Sequence, residues 1–250
     1  GRLLSPASLD RLVFYEGLDA VREARKAGKG VILASAHFGN LELLIRALAQ
    51  QPGVSLTVLH RNLKDGFNKW IFSGWKKAGA GEILDKDVTA AALAVLRRGE
   101  SLGLAIDQNM LVKKGIFVDF FGTQACTTPA PAVLSLRTGA PVFLCLMTRN
   151  ADGTHTMRFE RVFTPEKRAP GVIEQVTLEL NKRLERLILE GVLRPGEKLA
   201  PDQRGLVLDP AFQQIAVDEG GVVAGGVGDV ATPTPAPARD AGALVDPAQR

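Results

Sequence analysis

Between residues 30 and 150, short and mostly apolar runs alternate with longer segments of helical periodicity, and this alternation restricts the fold more than any other feature. Val31–Ser35, Ser55–Leu59, Ser101–Ile106 and Ala140–Met147 read as strands, the first as a fully buried one. Residues 40–50, 65–78, 88–98 and 129–138 read as the intervening helices. Strands that alternate with helices predict an α/β fold: a mainly parallel central sheet flanked by helices on both faces. Glu82–Leu84 reads as a brief further strand and Ile116–Phe121 as another, followed by a loop at Gly122. Thr154–Phe163 alternates and follows a turn at Asn150–Gly153, so it reads as the hairpin partner of the strand before it.

The ends differ from this middle. Residues 5–27 read as helical, with Ser5-Pro6 as an N-cap and first-turn proline, Leu9, Leu12 and Val13 on one face, and a second short helix over Leu18–Lys26. Residues 174–190 form a long amphipathic helix. From about residue 191 periodicity fades, and 219–250 carries paired glycines and a Thr-Pro-Thr-Pro-Ala-Pro run. The expected organisation is one domain over 1–195 and a disordered tail over 196–250.

A chain of 250 residues with 46% hydrophobic residues can bury a large core without staples. Its formal charge of +4 suits an acidic membrane surface or an acidic protein partner, and no nucleic-acid partner is expected. Cys126 and Cys145 sit in apolar surroundings and read as buried free thiols. Without a CxxC pair or a histidine-rich cluster, neither a metal nor a cofactor is expected. No signal peptide and no bilayer-spanning apolar run is read.

In open parallel sheets, sites lie beyond the carboxyl ends of the strands. His37, Arg61 and Asp107 each follow such an end, so one cleft can gather all three. Neutral imidazole accepts a proton near physiological pH, which makes His37 a candidate general base. Glu42 is the candidate orienting acid. Five helical residues turn through about 500°, which separates the two side chains on a helix surface. His37 is therefore expected in the turn before the helix, with Gly39 permitting that turn. There the helix N-terminus disfavours the imidazolium, and its N–H groups suit an oxyanion or a phosphate.

The blocks Gly30–Glu42 (G-V-I-L-A-S-A-H-F-G-N-L-E), Leu59-His60-Arg61, Gly103–Gln108 ending in Asp-Gln, Gly115–Gly122 (G-I-F-V-D-F-F-G) and Ala132–Val142 (with R-T-G-A-P-V) occur in this order. Together they resemble the signature blocks of the bacterial lipid A biosynthesis (lauroyl/myristoyl) acyltransferases, within the wider lysophospholipid acyltransferase group. The resemblance covers roughly residues 10–190. It implies a glycerolipid acyltransferase-like sheet and transfer of an acyl group from an acyl carrier protein thioester to a lipid hydroxyl. It further implies a location at the cytoplasmic face of the inner membrane.

By the same resemblance His37 is the base and Glu42 its orienting acid. Arg61, Asp107, Gly122 and Arg137 are the candidate substrate-binding positions, with structural readings beside each: a surface salt bridge, a turn residue, a tight turn and a helix residue. Asp107 either shapes the site or pairs with a basic residue. The segment Phe67–Lys77 reads as a core helix or a membrane-facing surface, and Lys113-Lys114 as a solvated turn or a dock for an acidic carrier. Two family features have no counterpart here, an N-terminal hydrophobic anchor and a C-terminal Pro-Glu-Gln-Trp block, so a divergent, truncated or frame-shifted C-terminus is expected. Another lipid acceptor, or a catalytically inactive lipid- or carrier-binding protein, are the competing readings. A serine hydrolase is disfavoured because no G-x-S-x-G occurs.

Overall fold

The computed structural model describes residues 6–60, 66–83, 88–165 and 169–192. Arg61 and the expected tail over 196–250 lie outside these residues. In chain order the elements are α1 (Pro6–Leu12), β1 (Val13–Glu16), α2 (Leu18–Lys26), β2 (Val31–Ser35), α3 (Leu41–Ala49), β3 (Leu56–Leu59), α4 (Gly66–Lys77), β4 (Gly81–Ile83) and α5 (Val88–Arg97). They continue with β5 (Ser101–Ala105), β6 (Ile116–Phe120), β7 (Thr123–Thr127), α6 (Ala130–Thr138), β8 (Val142–Arg149), β9 (His155–Phe163) and α7 (Val172–Val192).

Seven strands form one sheet in the order β1-β9-β8-β2-β5-β3-β4. The five from β8 to β4 are parallel, β9 is antiparallel to β8, and β1 is parallel to β9. The expected mainly parallel α/β sheet is therefore present. Alternation along the strands builds two cores. Val31 and Leu33 of β2, with Phe143, Cys145 and Met147 of β8, face α2, α3 and α4. Ile32 and Ala34, with Val142, Leu144 and Leu146, face α5, α6 and α7. Both faces are covered, which is why these strands read as unbroken apolar runs.

Two elements correct the sequence reading. Residues 13–16, expected as helix, form β1 on the sheet edge beside β9. Val13, Phe14 and Tyr15 favour a strand, and the edge of β9 supplies the partner that a local reading cannot see. The expected loop after Gly122 contains β7, paired antiparallel with β6 through a two-residue turn at Phe121 and Gly122. Both turn residues have positive φ, 52° and 78°, as a type I′ hairpin turn requires. Phe121 accepts this conformation because it is held: its N–H donates to Glu185 Oε1 at 2.7 Å, and its ring packs edge-on to Phe120.

Candidate active site

The cleft sits where the sheet changes direction. β2 connects to α3 on one face, while the chain after β5 leads to α6 on the other, and β2 and β5 are neighbours. Such a switch point opens a crevice beyond the carboxyl ends. Register fixes what meets there. Ser35 pairs with Ala105, and the Ile106 N–H donates to the Ser35 carbonyl at 2.9 Å. His37 and Asp107 each lie two residues beyond that pair, so they come side by side.

His37 Nδ1 is 3.0 Å from Asp107 Oδ1, and the His37 backbone N–H donates to Asp107 Oδ2 at 2.7 Å. One carboxylate thus grips both the ring and the main chain of the histidine. In the neutral tautomer that donates Nδ1–H to this carboxylate, Nε2 is the basic nitrogen of the ring. The pair remains open to solvent, with side chains 37% and 21% exposed.

The turn that carries His37 is shaped by two residues. Gly39 adopts φ +68°, and a Cβ there would run into the Met147 backbone carbonyl. Asn40 caps α3, its side chain accepting from the Leu43 N–H at 3.0 Å. His37 is accordingly in the turn and not on the helix, as expected, but the carboxylate beside it is that of Asp107.

Glu42 is anchored differently. It lies in the first turn of α3, where Oε1 accepts from Trp75 Nε1 at 2.9 Å and Oε2 pairs with Arg46 at 3.3 Å. Burial pushes its carboxyl above the ordinary range, and Arg46 offsets part of that rise. Gly74 lets α4 approach closely enough, since a Cβ there would collide with the Arg46 guanidinium. Nothing in the sequence marks Trp75, Arg46 and Gly74 as site residues; the tryptophan and the glycine stand within the Phe67–Lys77 segment.

From His37 an apolar slot runs under α3 and α4. Leu33, Leu44, Ile45, Leu48, Val58 and Cys145 are among its walls, which enclose a narrow space of about 80 Å³. His60 also lines it, stacked 3.9 Å from the Phe72 ring centre and 3.6 Å from Glu82, which Lys76 holds at 2.6 Å. Burial raises the Cys145 thiol well above the ordinary range, so it is an inert wall group.

The remaining candidates separate. Gly122 sits in the β6–β7 turn with open space where a Cβ would be. Arg137 is exposed in the last turn of α6, just before β8 begins beside the start of β2, and so at the edge of the sheet opposite His37. Among the described residues no group of three or more potential metal ligands occurs.

Comparison with known proteins agrees with this frame. Residues 3–191 match the family model described as bacterial lipid A biosynthesis acyltransferase. The lipid A biosynthesis palmitoleoyltransferase of Escherichia coli K12 is 28% identical over 177 residues, covering 70% of this chain and 56% of the relative. The lauroyltransferase of the same organism is 24% identical, covering 69% and 56%. A phosphatidylinositol mannoside acyltransferase of Mycobacterium tuberculosis is 31% identical over 137 residues, covering 53% and 42%. The chain thus spans a little over half the length of the lipid A relatives. With most of its described residues inside the matched region, the chain belongs to the bacterial lipid A biosynthesis acyltransferase family.

Proposed function

We propose that this chain is an O-acyltransferase that moves a fatty acyl group from the thioester of acyl carrier protein to a hydroxyl of a lipid A precursor or a similar glycolipid, at the cytoplasmic face of the inner membrane. The observation that carries this reading is an imidazole with Nδ1 held by a carboxylate at the mouth of an apolar slot. The slot suits a hydrocarbon chain, and the mouth suits its thioester carbon. His37 Nε2 takes the proton of the acceptor hydroxyl as its oxygen attacks that carbon. Collapse of the tetrahedral intermediate breaks the carbon–sulfur bond, and the imidazolium returns the proton to the leaving thiolate. Asp107 keeps the ring in the productive tautomer and stabilises the imidazolium. Glu42, the orienting acid that the resemblance implies, accepts from Trp75 on α4 and pairs with Arg46 on its own helix, which supports Asp107 as the carboxylate that serves the ring. Arg61 is the proposed anchor for an acceptor phosphate.

The test is a transfer assay with acyl carrier protein thioesters and a panel of acceptors, lipid A precursors and phosphatidylinositol mannosides among them. His37→Ala is expected to lose on the order of 10³-fold in turnover. Asp107→Asn is expected to lose about 10²–10⁴-fold, because the amide no longer enforces the tautomer. Glu42→Gln is expected to lose less than about tenfold, since it touches no reacting atom. Full activity in His37→Ala would end the mechanism. A Glu42→Gln loss as deep as that of His37→Ala, with Asp107→Asn nearly active, would exchange the two acids.

A further inference from the structure

The segment that leaves the cleft after Asp107 is unlike a solvated loop. Leu111 and Val112 are 72% and 70% exposed, and the next two residues, Lys113 and Lys114, are exposed as well. On β6, Phe117 is 56% exposed. This tip is braced. The N–H groups of Lys114 and Gly115 donate to the Leu111 carbonyl at 2.7 and 3.0 Å, and the Met110 N–H donates to the Cys126 carbonyl on β7 at 2.8 Å. A Cβ on Gly115 would meet Cys126 Sγ at 2.6 Å, so the turn is pressed against the hairpin.

A braced turn that points two adjacent aliphatic side chains and an aromatic outward gains nothing from water. Apolar residues beside lysines match a bilayer surface, where hydrocarbon enters the headgroup boundary and ammonium groups meet lipid phosphates. A purely acidic protein partner would use the lysines and leave the aliphatic tip unexplained. Leu111 is four residues from Asp107, at most about 14 Å of extended chain. A tip seated in the headgroups therefore holds the cleft within reach of a lipid hydroxyl.

We propose that Leu111, Val112 and Phe117, with Lys113 and Lys114, form a docking tip that seats the His37–Asp107 cleft on an anionic bilayer. The proposal rests on the reading of this chain as an enzyme of a membrane lipid and names the surface through which it meets that membrane. The test is vesicle sedimentation of the full chain, which reads binding without turnover. Its failure is thereby distinct from failure of acyl transfer. Vesicles of phosphatidylcholine alone are compared with vesicles containing phosphatidylglycerol. Leu111→Ser/Val112→Ser is expected to weaken binding to the anionic vesicles by roughly tenfold or more. Lys113→Gln/Lys114→Gln is expected to weaken it about fivefold per lysine, and high salt to have the same effect. Phe14→Ser, which changes an exposed side chain on the far edge strand β1, is expected to bind like the parent. Cys126 and Cys145 are buried, so Val112→Cys takes a solvatochromic label at the tip alone, and that label is expected to shift to the blue on anionic vesicles. Parent-like binding by both double variants, an unshifted label, or a lysine variant that loses acyl carrier protein yet keeps vesicles would each overturn the proposal.

Discussion

Glu42 and Asp107 are two acids on neighbouring segments, and they have different partners. Asp107 takes the histidine by ring and backbone, while Glu42 is drawn toward Trp75 and Arg46. The raised carboxyl of Glu42 makes a testable statement about pH. A carboxyl whose folded value lies above its unfolded value holds its proton more tightly in the native state. Its contribution therefore falls as pH rises from the ordinary carboxylate range through the raised folded value. Replacing it with neutral, isosteric glutamine removes that loss. Melting temperatures of Glu42→Gln and the parent, compared from about pH 4.5 to neutrality, should show the difference moving steadily in the variant's favour. Movement the other way would mean that Arg46 outweighs burial. His155 carries the opposite sign: burial, then Arg149, lowers its value. Stability from that group is present above the ordinary histidine range and is lost as pH falls below it.

At the scale of elements, two turns decide what the motif blocks mean. The turn between β2 and α3 needs Gly39, because both its φ and the nearby Met147 carbonyl exclude a side chain. Gly39→Ala is expected to cost more than about 1 kcal/mol and to remove transfer activity, as read by denaturant unfolding and turnover on the folded fraction. The β6–β7 turn needs Gly122 only for its φ, since nothing lies where a Cβ would go. Gly122→Ala should cost about 1–2 kcal/mol while turnover per folded molecule stays at the parent level. A fall in turnover without a change in stability would return Gly122 to the substrate. These two glycines look alike in sequence. The difference lies in a carbonyl from β8, more than 100 residues away from Gly39 in the chain. The same limit hid β1 and β7, whose pairing partners are remote in the first case and shaped by an unusual Phe-Gly turn in the second. The helices and the parallel strands were legible because their periodicity is local. The pairing of His37 with Asp107 was not, because it depends on the register between β2 and β5.

For the whole molecule, that register matters because it stacks two layers on one edge: a polar pair at the mouth and an apolar slot beneath. The slot draws walls from β2, β3, β5, β8, α3 and α4, so no single motif in the sequence encodes it. Leu33 and Cys145 reach it from adjacent strands, on the face of the sheet that packs α3. If the slot holds the acyl chain, its depth sets which chains are accepted, and a larger wall residue must exclude longer chains more than shorter ones. Cys145→Phe adds that bulk without touching His37 or Asp107. Some overpacking is expected, about 1–3 kcal/mol, so absolute rates are a poor readout and the ratio of rates between chain lengths is the useful one. Comparing a series of acyl carrier protein thioesters, the variant should shift its preference toward shorter chains by tenfold or more, whereas Cys145→Ala should keep or lengthen the preference. A Cys145→Phe enzyme that is uniformly slower on every chain would show that the acyl group does not lie in this slot.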